Sequence, residues 1–64
     1  MQIGSKIKFL DGGDDNIDYG IIEGTSNHFI SKGEWIIKFI EGFRASRNKK
    51  YCFEVSRLEE LLYF

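Results

Sequence analysis

A chain of 64 residues closes around one core, so residues 1–64 are expected to form a single domain. Nine Lys and Arg face ten Asp and Glu, and this balance excludes the global basic excess that would make nucleic acid the default partner. The single cysteine excludes an internal disulfide and every multi-cysteine metal site; the sequence reads as having no leader and no apolar run near the ~18 residues a membrane helix needs, so a cytoplasmic location is expected.

Ten aromatic residues and nine Ile stand against one Ala, and proline is absent. Ile, Phe, Tyr and Trp favour strands and Ala favours helix, so the composition points to an all-β domain. Ile3 to Leu10 alternates, with Ile3, Ser5, Ile7 and Phe9 on one face, which predicts a half-buried first strand. Asp11 to Asp18 is Asp- and Gly-rich and is expected to be a loop. A second strand runs from Tyr19 to about Thr25, with Gly20 and Gly24 where the strand bends or another backbone comes close. Ser31-Lys32-Gly33 reads as a hairpin turn with Gly33 in the left-handed conformation.

Glu34 to Ile40 is the third strand, Glu41 to Lys49 a long basic hairpin loop, and Lys50 to Val55 the fourth strand. Ser56-Arg57-Leu58-Glu59 has the spacing of a capping box, which starts a single helical turn before a short fifth strand, Leu61 to Phe64. Core candidates are Ile7, Phe9, Ile22, Trp35, Ile37, Phe39, Phe53, Val55 and Leu58.

This chain order describes a five-stranded SH3-like barrel with one helical turn before the last strand. Gly4-x-Lys6-Ile7-Lys8-Phe9, the acidic loop and Tyr19-Gly20-Ile21-Ile22-Glu23-Gly24 resemble the opening of KOW and Tudor-like bacterial SH3 barrels, and Lys50 to Leu62 resembles their closing segment. In SH3 domains the first loop borders a peptide groove, so the resemblance implies a partner-binding set of Asp15, Asp18, Tyr19, Trp35 and Tyr51. Phe53-Glu54-Val55-Ser56-Arg57-Leu58-Glu59 is also similar to the closing segment of plasmid-encoded type II dihydrofolate reductases, small barrels that work as tetramers around a central pore. Their pore motif, Val-Gln-Ile-Tyr, falls on Lys50-Tyr51-Cys52-Phe53, where its substrate-contacting Gln and Tyr are not matched. That likeness implies a barrel able to build a ligand site from copies of itself.

No catalytic set is expected. His28 is the one histidine, and Cys52, in mid-strand, reads as a small hydrophobe. Asp14-x-Asn16-x-Asp18 starts like a calcium loop, but Tyr19 and Thr25 stand where that loop needs Gly and Glu, so neither metal nor cofactor is expected. Apolar side chains exceed what a small core holds, and Ile36, Ile40 and Phe64 are expected to form a self-association patch. The chain is thus expected to be a non-enzymatic module working by protein–protein contact and as a homo-oligomer. Ile, Lys, Asn, Phe and Tyr are residues of AT-rich codons, which suits the AT-rich genome of a phage or mobile element, where an inhibitor of a host protein would fit. Two alternatives use Arg44, Arg47, Lys49 and Lys50: a small charged ligand held at a subunit interface, or nucleic acid bound by this basic hairpin with its flanking aromatics.

Overall fold

The computed structural model describes residues 1–11 and 16–64. Five antiparallel strands form one sheet: β1 (Lys6–Phe9), β2 (Asp18–Thr25), β3 (Trp35–Phe39), β4 (Arg44–Arg47) and β5 (Cys52–Glu54). The order across the sheet is β4-β3-β2-β1-β5. A short 3-10 turn (Lys49–Tyr51) links β4 to β5, and a helix, α1 (Arg57–Tyr63), follows.

The register assigns the faces. Ile7 lies opposite Gly20, Gly20 opposite Phe39, Ile22 opposite Ile37, and Ile37 opposite Ala45. Directly opposed residues share a face, so the apolar alternation of β1, β2 and β3 converges on one side. There Ile7, Ile22, Ile37, Phe39 and Cys52 form the core cluster, with Phe9, Trp35 and Ala45 packed against it. The opposite face carries Lys6, Lys8, Tyr19 and Ile21, and α1 lies over it.

Two glycines act as the sequence suggested. At Gly20 an added Cβ would meet Ile37 Cγ2 at 2.6 Å and the Lys38 carbonyl oxygen at 2.7 Å, so a side chain there has no room. At Gly24 the β2–β3 register shifts, which marks a β-bulge. The Ser56–Glu59 capping box also forms: Glu59 N–H donates to Ser56 Oγ at 3.1 Å and Ser56 N–H donates to Glu59 Oε1 at 2.9 Å.

Three expectations are corrected. The basic hairpin is not a long loop. Phe39 N–H donates to the Phe43 carbonyl at 2.9 Å around Gly42 (φ +110°), and this tight turn lets Arg44–Arg47 pair with β3 as β4. Charge concealed this strand, because Ala45 is its one apolar residue. The segment from Lys50 therefore begins with the 3-10 turn and supplies the fifth strand, not the fourth. Leu61 to Phe64 is not a strand: once the capping box starts a helix, Leu and Glu extend it to Tyr63, and Phe64 N–H closes it on the Glu60 carbonyl at 3.1 Å. The core differs accordingly. Phe53 and Leu58 are exposed, whereas Tyr19 and Cys52 are buried.

Candidate functional site

Helix α1 sits on the sheet with its polar side inward. Lys6 Nζ meets Glu60 Oε1 at 2.8 Å and Lys8 Nζ meets Glu59 Oε2 at 2.9 Å. The Tyr63 ring stacks on Tyr19 with centroids 4.3 Å apart, and Phe64 meets Tyr19 edge-on at 6.1 Å. Tyr19 is left 8% exposed, and its hydroxyl donates to Glu59 Oε2 at 3.4 Å. Burial, then Tyr63 and Glu59, push the Tyr19 hydroxyl above its ordinary pKa, so it stays a protonated donor.

These contacts use the helix residues at one spacing and leave another outside. Leu58, Leu61 and Leu62 follow the i, i+3, i+4 rule that places residues on one helix face. They are 65%, 70% and 64% exposed. Ordinary surface helices bury this stripe and expose the charges; α1 does the reverse, because β1 offers Lys6 and Lys8 on the face it covers. The helical spacing after the capping box was the signal for this stripe. Reading Leu61 to Phe64 as a strand concealed it.

The docking is expected to depend on pH. Hydrogen bonds from the Ser56 N–H and then Lys8 hold Glu59 down to about 2, from an ordinary 4.5. Lys6 lowers Glu60, and Arg44 lowers Glu23. A depressed folded-state value means that the contribution is complete above the unfolded value and is lost as pH falls through the folded one. The melting temperature is therefore expected to be level above pH 4.5 and to fall as pH descends toward about 2. Melts followed by far-UV circular dichroism across that range test this; a rise on acidification would contradict it.

A second cluster lies where β3 begins and β4 ends. Trp35 opens β3 opposite Arg47, and the Arg47 guanidinium lies over the Phe9 ring at 5.3 Å and the Phe39 ring at 5.6 Å. Lys49 Nζ sits 4.2 Å from the Trp35 ring centroid, and Lys50 Nζ sits 5.0 Å from that of Tyr51. Tyr51 in turn meets Phe9 edge-on at 6.3 Å. Trp35, Phe9 and Tyr51 are each half-buried.

Of the expected partner-binding set, Trp35 and Tyr51 belong to this cluster. Tyr19 is on the opposite face beneath Tyr63. Asp18 opens β2 opposite Phe9, and Asp15 lies outside the described residues. Of the basic set, Arg47, Lys49 and Lys50 share the cluster, but Arg44 pairs with Glu23 at 2.6 Å on the face that carries Lys38 and Ile21. The expected association residues are divided. Ile40 and Phe64 both border Tyr19, through the Ile40 N–H to the Tyr19 carbonyl (2.9 Å) and the Phe64 ring, while Ile36 lies near the start of β3 opposite Ser46.

His28 and Cys52 are each bonded locally. His28 Nδ1 accepts the Ile30 N–H at 3.3 Å and its ring stacks on Phe29; Cys52 Sγ donates to the Asn48 carbonyl at 3.5 Å. Burial raises the Cys52 thiol pKa, which disfavours the thiolate. A polar recess of about 250 Å3 is lined by Gly4, Ser5, Lys6, Glu54, Val55 and Glu60. Its charges already serve internal pairs, Lys6 with Glu60 and the N-terminal amine with Glu54 at 3.1 Å. Among the described residues no group of His, Cys, Asp and Glu is placed to hold a metal ion, and no helix is long and apolar enough to cross a membrane. The calcium-like spacing lies partly outside the described residues. No family model, curated protein or solved structure matches this chain.

Proposed function

We propose that the sheet closes as an SH3-like barrel and that the protein is a non-enzymatic binding module working by protein–protein contact and self-association. Three features support the closure: the order β4-β3-β2-β1-β5, the 3-10 turn before β5, and a core cluster drawn from β1, β2, β3 and β5. Arg47 of β4 also reaches across to the Phe9 ring of β1. The observation that carries the functional reading is the outward leucine stripe of α1. Fully burying a leucine side chain is worth roughly 1.5–3 kcal/mol. Three such side chains at helical spacing, on a helix already anchored by charge, suit a surface that another chain covers.

The stripe is self-complementary. Two copies of α1 packed antiparallel would set Leu58 of one against Leu62 of the other, with Leu61 beside the two-fold axis. Light scattering on a sizing column at two protein concentrations tests this. The wild-type chain is expected to run as a dimer or larger. Leu61→Glu is expected to run as a monomer with an unchanged circular dichroism spectrum, because the substituted side chain points to solvent. A wild-type monomer at both concentrations would overturn self-association.

A further inference from the structure

Six of the nine Lys and Arg side chains fall into two contrasting groups. Lys6, Lys8 and Arg44 each hold a carboxylate at 2.6–2.9 Å, so their charge is spent within the fold. Arg47, Lys49 and Lys50 rest on aromatic rings instead, and among the described residues no carboxylate lies within ion-pair distance of them. A ring face steers a cation without neutralising it. Three positive charges are thereby held on one small surface of a chain whose net charge is −1.

The spacing of charge and ring adds a second requirement. Trp35 and Tyr51 stand beside these cations, half-buried and so fixed in orientation. A ligand that pairs phosphates with flat rings satisfies both parts together. Phosphates draw the ammonium groups of Lys49 and Lys50 outward, and the ring faces they leave become open to bases. An acidic peptide would use the charges and leave the rings unused. Duplex DNA holds its bases stacked inside and away from Trp35 and Tyr51.

We propose that Trp35, Arg47, Lys49, Lys50 and Tyr51 form a binding surface for single-stranded nucleic acid. Arg44 is not part of it, since it faces the other side of β4. This surface is separate from the leucine stripe of α1 and does not depend on it.

Trp35 is the sole tryptophan and therefore reports on its own surface. Titration with a single-stranded oligothymidylate is expected to quench its emission. The apparent affinity should fall with salt at a log–log slope near −2, about 0.7 for each of three cations. Lys49→Ala and Lys50→Ala alter exposed side chains, and each should reduce that slope by about 0.7. Leu61→Glu should bind and quench as the wild type does, which separates this test from that of self-association. Absence of binding overturns the proposal. So does equal binding of polyglutamate, which would make the surface an acidic-peptide site, or equal binding of duplex DNA without quenching, which would make it a plain polyanion site.

Discussion

Gly20→Ala is expected to lower the melting temperature by roughly 12–24 °C, a loss of about 3 kcal/mol. The cause is a backbone collision and not a lost contact. The new Cβ would stand 2.7 Å from the Lys38 carbonyl oxygen and 3.1 Å from the Phe39 Cα, and neither can rotate away. The third neighbour, Ile37 Cγ2 at 2.6 Å, belongs to a β-branched side chain with no exposed surface, and its χ1 is stiff. Relief requires β2 to move off β3 where Gly20 opposes Phe39, in the middle of the sheet. Gly24→Ala is the matched control. An added Cβ there meets nothing within 4 Å, and alanine restricts the unfolded chain more than glycine, so its melting temperature should equal or slightly exceed that of the wild type. Thermal melts of the two variants decide the matter; a Gly20→Ala melt within a few degrees of wild type would mean that β2 and β3 do not approach this closely.

How much of this was legible depends on how local the signal is. The alternation of Ile7 and Phe9, of Trp35, Ile37 and Phe39, and the capping box at Ser56 and Glu59 are written within a few residues, and each forms as read. The hairpin at Gly42 is also local, but the charge of Arg44 and Arg47 outweighed the single apolar cue of Ala45, and the strand read as a loop. Once β4 was missed, the strand count could be completed only by assigning one to Leu61–Phe64.

The placement of α1 is a different case. Its amphipathicity predicts leucines inward, and only the register of β1, which sends Lys6 and Lys8 to the face the helix covers, reverses it. That reversal is a tertiary fact with no local signature. The same reasoning divides the basic residues. Arg44 and Arg47 differ by three positions on a strand of period two, so they fall on opposite faces once β4 is known, and only Arg47 joins Lys49 and Lys50. The burial of Tyr19 follows from the helix as well, and no reading that ended the chain in a strand could have produced it.

Phe39→Ala should be the most damaging truncation of an aromatic side chain, and Phe29→Ala among the least. Phe39 is 1% exposed, stacks on Phe43 with centroids 4.7 Å apart, carries the Arg47 guanidinium on its ring, and touches the core cluster from β3. Truncating a buried phenylalanine costs about 3–5 kcal/mol, the sum of lost transfer energy and the cavity left behind. A domain of this length has a total stability of about 3–10 kcal/mol, so the loss is of the same order as what holds it together. The chain is expected to be largely unfolded near 37 °C, with no cooperative transition in a urea titration. Phe29 is 84% exposed at the tip of the β2–β3 connection, where its ring contact is with the neighbouring His28. Its truncation should move the urea midpoint by no more than the spread among replicate titrations. The two substitutions remove the same atoms, so composition and helix or strand propensity cannot separate them; only position relative to the core can. Equal losses at both positions would mean that the β2–β3 connection folds onto the domain and that the core is not the one formed by Ile7, Ile22, Ile37, Phe39 and Cys52. A small loss at Phe39 alone would mean that Phe43 and Trp35 close over the vacated space, at a site where the tight turn at Gly42 otherwise holds Phe43 in place.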